Sequence, residues 1–130
     1  MNVRDLDTVR SMYDAFARRD LDVIHSTLAP DVVIEQPEVL PWGGRYEGHH
    51  GFDLFIGALL RRVEPIVEVG ELFDAGDHIV RIGRGRGRIV ANGGSYDVRE
   101  IHLWGVRDGR ITSFTVYLDT ATLAAALAAR

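Results

Sequence analysis

The clearest candidate for chemistry is a histidine that shares a predicted strand, over 95–106, with a carboxylate and an indole. Glu100, His102 and Trp104 recur at every second position, so their side chains project to one face of the strand. Ligand cavities combine apolar walls with a few polar groups, and histidine is suited to proton exchange near neutral pH. We predict that His102 exchanges protons, that Glu100 orients it and that Trp104 shapes the wall. The alternative, a structural histidine bonded to a neighbouring strand, remains open.

A second carboxylate, Asp119, follows the last predicted strand, over 110–118. Because Thr-Ala-Thr-Leu comes next, Asp119 can also be the N-cap of a final helix. The turn at Asp108-Gly109 decides whether Asp119 meets His102. A two-residue type I′ turn places Tyr117 and Asp119 on the face of His102. A three-residue loop with a bulge turns them away, and both registers remain open.

Three arginines, at positions 84, 86 and 88, alternate with glycines in a predicted strand over 77–90. Their side chains leave one side of the strand, where they either clamp an anion or, as we favour, are solvated or paired. A register centred on Gly93 predicts Arg86 opposite Glu100 and Arg84 opposite His102, which would keep Glu100 ionised. The glycines remove bulk from the other face and predict the close approach of a helix or a second subunit there.

The remaining candidates lie near the first predicted strand, over 31–36, and in the loop over 37–48. Trp42 and Tyr46 are predicted either to form a lid over a cavity or to fill the core. Glu35 would be a general acid or base only if it were buried near the pocket floor, and a surface position is favoured. The histidines lack a metal-ligand spacing and the chain has no cysteine, so we expect no metal site and no cofactor.

These residues require a scaffold of three helices, a sheet and a short C-terminal helix. Apolar spacing predicts a helix over 3–19, a second helix that Asp20 caps and Pro30 stops, a third over 52–63 and a last short one over 120–130. The predicted strands span 31–36, 65–73, 77–90, 95–106 and 110–118, and turn sequences separate the last four, which form a meander. The order ααβαββββ, with a short C-terminal helix, predicts an α+β fold whose strongly curved sheet wraps the helices around a blind cavity.

Length and composition limit the classes of protein. The chain has 130 residues, 46% of them hydrophobic and 26% charged, which predicts a single globular domain over 1–130. Its net charge is -4 with scattered basic residues, so we expect no nucleic-acid partner. No segment has the apolar length of a signal peptide or a membrane span. We therefore expect a cytoplasmic protein with no membrane contact and a small, weakly charged or uncharged ligand.

Three stretches resemble a known family. YDAFARRDLDVIHSTLAPDVVIEQP, LPWGGRYEGHHGF and VRDGRITSFTVYLDTATL occur in this order and look like the signature stretches of SnoaL-like polyketide cyclases, which belong to the superfamily of nuclear transport factor 2 and ketosteroid isomerase. They cover nearly the whole chain. The resemblance implies a cone-shaped NTF2-like fold and a homodimer formed through the outer sheet face. Its candidate apolar contacts, which could instead face the helices, are Ile101, Leu103, Phe114 and Val116.

The resemblance also tests the isomerase activity. The tyrosine position of ketosteroid isomerase falls on Met12, with Tyr13 about 100° further round the helix, and its base and aspartic acid positions fall on Gln36 and His102. An amide cannot abstract a proton, so steroid isomerisation is not expected. The SnoaL-like cyclases and the related limonene-epoxide hydrolases instead imply an acid/base role for Asp119.

We therefore expect a cofactor-free acid/base enzyme, namely a cyclase, isomerase, dehydratase or epoxide hydrolase, that acts on a small hydrophobic oxygenated compound. The predicted catalytic residues are Asp119, His102, Glu100 and Glu35, and the predicted substrate-binding residues are Tyr13, Gln36, Trp42, Tyr46, Trp104 and Tyr117. The alternative is a non-catalytic binding or assembly module with the same fold.

Overall fold

A curled seven-stranded mixed sheet is the scaffold of the protein in its computed structural model, which describes residues 3–129. The strands are β1 (Leu28–Gln36), β2 (Gly44–Glu47), β3 (Val63–Ile66), β4 (Glu71–Asp74), β5 (Ile79–Ile89), β6 (Ser95–Arg107) and β7 (Arg110–Leu118). Their order is β2-β1-β7-β6-β5-β3, and β4 also pairs with β5. β1 and β7 run parallel to each other, whereas the other pairs are antiparallel.

Helices pack on the inner face of this sheet. They are α1 (Val3–Ala17), α2 (Leu21–Thr27), α3 (Gly48–Leu60) and α4 (Thr120–Ala128). Apolar side chains of α1 and α3, such as Met12 and Phe55, join buried strand residues in one core. Asp20 caps α2 as predicted, accepting a hydrogen bond from the backbone N–H of Val23 at 3.2 Å. Within residues 3–129, no helix is long and apolar enough to cross a membrane.

The predicted α+β class, with helices inside a strongly curved sheet, is confirmed, and the differences are local. The short strand β2 was not predicted. The strand predicted over 65–73 is divided into β3 and β4 by a bend that contains Gly70, whose φ of 64° lies in the left-handed region. The second helix ends at Thr27, and Pro30 lies inside β1 rather than at the end of a helix.

The pairing of β5 with β6 differs from the register predicted around Gly93. The loop over 90–94 is closed by a hydrogen bond from the N–H of Ile89 to the carbonyl of Gly94, so Arg81 lies opposite His102. The three alternating arginines therefore lie on the outer face, where Arg84 pairs with Asp97, Arg86 with Glu68 and Arg88 with Glu64. Their interpretation as paired side chains is confirmed, whereas the partners predicted for them, Glu100 and His102, are wrong.

The hairpin of β6 and β7 combines the two registers that were left open. Asp108 and Gly109 both have positive φ, 52° and 75°, as a two-residue type I′ turn requires, and Arg107 pairs with Arg110. A bulge then leaves Thr112 unpaired between Ile111 and Ser113. Beyond it, Phe114 and Val116 lie opposite Trp104 and His102. The bulge thus decides which side chains of β7 face inward.

Candidate functional site

An apolar cavity of about 130 Å³ lies between the helices and the inner face of the sheet. Its aromatic wall consists of Phe16, Trp42, Phe52, Phe55, Trp104 and Phe114. Its polar side chains include Tyr13, Gln36, Arg81, Tyr96, Glu100 and His102. An apolar cavity of about 150 Å³ holds one benzene ring, so the space suits a small ring compound.

A chain of hydrogen bonds runs along the polar end of this cavity. The indole N–H of Trp104 donates to the Tyr13 hydroxyl oxygen at 2.8 Å, and that hydroxyl lies 2.7 Å from Nδ1 of His102. The Nε2 atom of His102 lies 2.7 Å from Oε1 of Glu100, which also accepts from Arg81 at 3.0 Å. Residues from α1, β5 and β6 are thereby joined into one network.

The groups at the two ends of this network can each act only as a donor or only as an acceptor, and this fixes the direction of the hydrogen bonds between them. Indole and guanidinium groups can only donate, and an ionised carboxylate can only accept. With His102 neutral, its ring proton must therefore lie on Nε2 and point to Glu100, and Tyr13 must donate to Nδ1. Because Nδ1 of His102 is bonded to Tyr13, a proton that passes between Nδ1 and the cavity passes through the Tyr13 hydroxyl.

Burial and neighbouring charges set the protonation of the two groups beside His102. Burial raises the pKa of Glu100, but the hydrogen bond and charge of His102 and the charge of Arg81 outweigh it, so the net pKa lies below its usual value. Burial raises the pKa of Tyr13 more than the hydrogen bond from Trp104 lowers it. Glu100 is thus an anion at neutral pH, and Tyr13 keeps its proton.

Arg81, which the sequence reasoning missed, anchors the network from β5. Its side chain is 2% exposed, and besides Glu100 it donates to the carbonyl groups of Glu68, Val69 and Arg84 at 2.9, 3.2 and 2.9 Å. The sequence itself contained a signal for this position, because Arg81 and the glycines that follow it stand at every second position along the strand. It therefore had to share their inward face.

Those glycines make room for the network. A Cβ atom at Gly83 would lie 3.0 Å from Cζ of Arg81, and one at Gly85 would lie 2.6 Å from Oε2 of Glu100. The close approach predicted for this face is real. It is made by side chains of the same sheet, however, and not by a helix or a second subunit as expected.

Asp119 lies outside the cavity. Its side chain caps α4, accepting from the backbone N–H of Thr122 at 3.1 Å and from the Thr122 hydroxyl at 2.7 Å. These two bonds lower the pKa of Asp119. Of the two registers left open, the structure has the one in which Asp119 does not meet His102, because the bulge in β7 puts Val116 and not Tyr117 opposite His102. The catalytic role predicted for Asp119 therefore loses its place in the cavity.

Three other predicted site residues also do not line the cavity. Glu35 is exposed on β1, and Tyr117 is 57% exposed on β7. Tyr46 donates its hydroxyl proton to the carbonyl of Trp42 at 3.0 Å and packs against Phe55, so it fastens the loop that precedes α3. Glu35 thus has the surface position that was favoured for it, and Tyr46 is a packing residue and not a lid. For Tyr117 the bulged register applies, so none of the three is a site residue of the cavity.

Gln36 and Trp42 do line the cavity, together with Tyr13, Glu100, His102 and Trp104. Trp42 is 3% exposed and forms part of the wall. Gln36 is 7% exposed, and its Nε2 atom has no hydrogen-bond partner within residues 3–129. An unpaired buried amide of this kind costs about 1–3 kcal/mol, which a ligand acceptor could recover.

Outside the cavity, His25 and His49 stack with a ring separation of 5.4 Å, and His25 lies 2.6 Å from Asp53. No group of three histidine, aspartate or glutamate side chains in the described part of the chain has the arrangement of a metal site.

Comparison with known proteins finds the same fold in other chains. The sequence matches the family of SnoaL-like domains over residues 9–114, and a search of curated proteins found no match. Among solved structures, an NTF2-like protein of unknown function from Burkholderia pseudomallei is 31% identical, with a TM-score of 0.83 over 97% of this chain and 98% of that chain. TerC, co-crystallised with polyporic acid, is 25% identical, with a TM-score of 0.82 over 97% and 99% of the two chains. A candidate polyketide cyclase from Xanthomonas campestris pv. campestris is also 25% identical, with a TM-score of 0.84 over 98% of each.

Proposed function

Since this chain belongs to the SnoaL-like family, we propose that it is a cofactor-free acid/base enzyme acting on a small hydrophobic oxygenated compound in the cavity. The observation that carries the proposal is the hydrogen-bonded chain from Tyr13 through His102 to Glu100 along the cavity wall. Cyclases, isomerases, dehydratases and epoxide hydrolases all need one positioned group that takes up and returns a proton. TerC, which was crystallised with polyporic acid, supports an organic ligand by similarity.

In this proposal each residue of the network has a distinct role. Tyr13 is the group that touches the substrate, and His102 holds the proton that Tyr13 passes on. Glu100 fixes the tautomer of His102 and stabilises the imidazolium, as carboxylates do beside catalytic histidines. Arg81 keeps Glu100 ionised. The apolar wall lowers the local dielectric constant, so these interactions are stronger than they would be in water.

Exchange of carbon-bound hydrogen for deuterium tests the proposal without knowledge of the natural substrate. The probe is 2-indanone, a small cyclic ketone, incubated with the protein in deuterium oxide and followed by proton NMR. We expect the wild type to accelerate exchange next to the carbonyl, and His102→Gln to reduce that acceleration at least ~10²-fold. His78→Gln, at an exposed position, is the matched control and should exchange as the wild type does.

The same experiment separates an enzyme from a binding module. If the NMR lines of 2-indanone show binding to the wild type but no accelerated exchange, the site binds the ketone without removing its carbon-bound protons. The acid/base proposal would then be wrong, and the non-catalytic alternative would take its place.

We also propose that a second copy of the chain packs on the outer face of the sheet. Ile82, Ile101 and Tyr117 lie side by side on β5, β6 and β7 and are 42%, 38% and 57% exposed, which is an apolar row that a partner would cover. Of the contacts suggested from the sequence, Phe114 and Val116 line the cavity instead.

Sedimentation equilibrium tests this dimer. The wild type should have twice the 14.5 kDa mass of one chain, and Ile101→Lys should have the mass of one chain. A monomeric wild type at micromolar concentration would refute the dimer.

A further inference from the structure

The polar end of the resting cavity is built to accept a hydrogen bond. With His102 neutral, the Tyr13 proton lies on the bond to Nδ1, and the Tyr13 oxygen accepts from Trp104. A phenol oxygen has a second lone pair, and no other group within residues 3–129 donates to it. Tyr13 also lines the cavity. The ligand group that fits a free acceptor is a hydrogen-bond donor, and in the oxygenated compound of the proposed function that donor is a hydroxyl.

A bound hydroxyl can transfer its proton along this chain. Its O–H bond breaks as the proton moves to the Tyr13 oxygen, while the original Tyr13 proton moves to Nδ1 of His102. The products are a ligand oxyanion, a neutral Tyr13 that now donates to it, and an imidazolium. The charged and titratable groups around His102 are Glu100 on its own strand, Arg81 on β5 and Tyr13 on α1, whereas β7 presents Phe114 and Val116. Glu100 therefore faces the new positive charge directly, at 2.7 Å.

A second polar contact lies across the cavity. In the parallel pairing of β1 and β7, Glu35 lies opposite Thr115, so Gln36 is level with Val116, which in turn lies opposite His102. Two strand spacings separate the Cα atoms of Gln36 and His102, roughly 10 Å. The unpartnered amide of Gln36 can therefore bind an acceptor on the far side of a ligand whose hydroxyl is at Tyr13.

We propose that the ligand of this site is a weak oxygen acid, an enol or a phenol on a flat apolar ring, which also carries a hydrogen-bond acceptor for Gln36. It binds as its anion, with its proton held on His102. The proposal rests on the proposed function, because it uses the same proton path. It narrows the substrate from any oxygenated compound to an enol or a phenol.

The test uses 4-nitrophenol, which absorbs visible light as its anion and carries a nitro acceptor opposite its hydroxyl. At a pH below its own pKa, added wild-type protein should raise the absorbance of the anion. His102→Gln and Tyr13→Phe should lose this rise, whereas the control His78→Gln, at an exposed position, should keep it. Gln36→Met should weaken binding about tenfold without changing the ionised fraction of the bound probe.

The methyl ether 4-nitroanisole, which has no acidic proton, should bind at least about tenfold more weakly than 4-nitrophenol. Equal binding of the ether, no binding of 4-nitrophenol, or bound 4-nitrophenol that stays neutral would overturn the ligand class, even if 2-indanone still exchanged its hydrogens. Equal ionisation on His102→Gln would show that His102 is not the proton acceptor. Ionised 4-nitrophenol without ketone exchange would support the ligand class and refute only the acid/base enzyme of the proposed function.

Discussion

Replacing Arg81 by methionine should destabilise the fold strongly. The substitution removes four hydrogen bonds, to Glu100 and to three carbonyl groups, and leaves the Glu100 carboxylate, whose side chain is 17% exposed, without its cation. Breaking a buried ion pair in this way costs about 3–5 kcal/mol. For a chain of 130 residues with an unfolding entropy of about 2.1 cal/mol/K per residue, that is a fall in Tm of about 11–18 °C.

The matched control is Arg84→Met. Arg84 lies on the same strand but is 47% exposed, and it forms an ion pair with Asp97, so its loss should cost less than about 1 kcal/mol. Urea unfolding of both variants beside the wild type measures the two values. A cost for Arg81→Met as small as that for Arg84→Met would refute the assignment of Arg81 as the anchor.

Acid should reduce the cost of Arg81→Met. In the wild type the pKa of Glu100 is lowered on folding, so this group stabilises the fold above its unfolded pKa of about 4.3, and the contribution is lost as the pH falls through the folded pKa. Without Arg81, the buried carboxyl can bind a proton instead of remaining an unpaired anion. The stability gap to the wild type should therefore be largest near neutral pH and shrink towards about pH 4. A gap of constant size would show that the unpaired charge of Glu100 is not its cause.

The other predictions concern packing, capping and binding. Gly85→Ala should cost about 1–3 kcal/mol in urea unfolding, because the new methyl group meets the Glu100 carboxylate, whereas Gly57→Ala, in open space on α3, should stabilise by about 0.5–1 kcal/mol. Gln36→Met should raise the free energy of unfolding by about 1 kcal/mol while weakening 4-nitrophenol binding, since it removes an unpartnered buried amide; a less stable variant would show that the amide has a partner. Asp119→Ala should lower the Tm through loss of the cap, and Asp119→Asn should keep both the Tm and the ionisation of bound 4-nitrophenol. Loss of that ionisation in Asp119→Asn would place the carboxylate in the site after all.

The inward face of β6 could be predicted from sequence because alternation along one strand is a local property. Glu100, His102 and Trp104 share a face in any regular strand, and all three line the cavity. The same reasoning placed the three outer arginines on one side of β5. Which side chains of a strand share a face does not depend on the rest of the fold.

Relations between strands could not be predicted, because they depend on single residues in loops and bulges. The loop over 90–94 sets Arg81 and not Arg84 opposite His102, and the unpaired Thr112 turns Asp119 away from the cavity. The position of Tyr13 depends on how α1 packs across the sheet. Matching to ketosteroid isomerase by sequence placed its neighbour Met12 at the position of that enzyme's tyrosine. Both side chains line the cavity, but the hydroxyl that reaches His102 belongs to Tyr13.

The bulge in β7 also gives this cavity an unusual route of evolutionary change. Two sets of side chains alternate beyond Thr112: Phe114, Val116 and Leu118 line the cavity, and Thr115 and Tyr117 face outward, with Asp119 next in that series. Since a shift of one residue turns every side chain of a strand to the opposite face, pairing of Thr112 with Gly105, which removes the bulge without removing a residue, would exchange the two sets. Deletion of Thr112 would instead leave Phe114 opposite Trp104, as it is now. An aliphatic and aromatic wall would become one with a hydroxyl, a phenol and a carboxylate. A descendant whose hairpin paired without the bulge would thus have a new ligand preference without a substitution in the cavity.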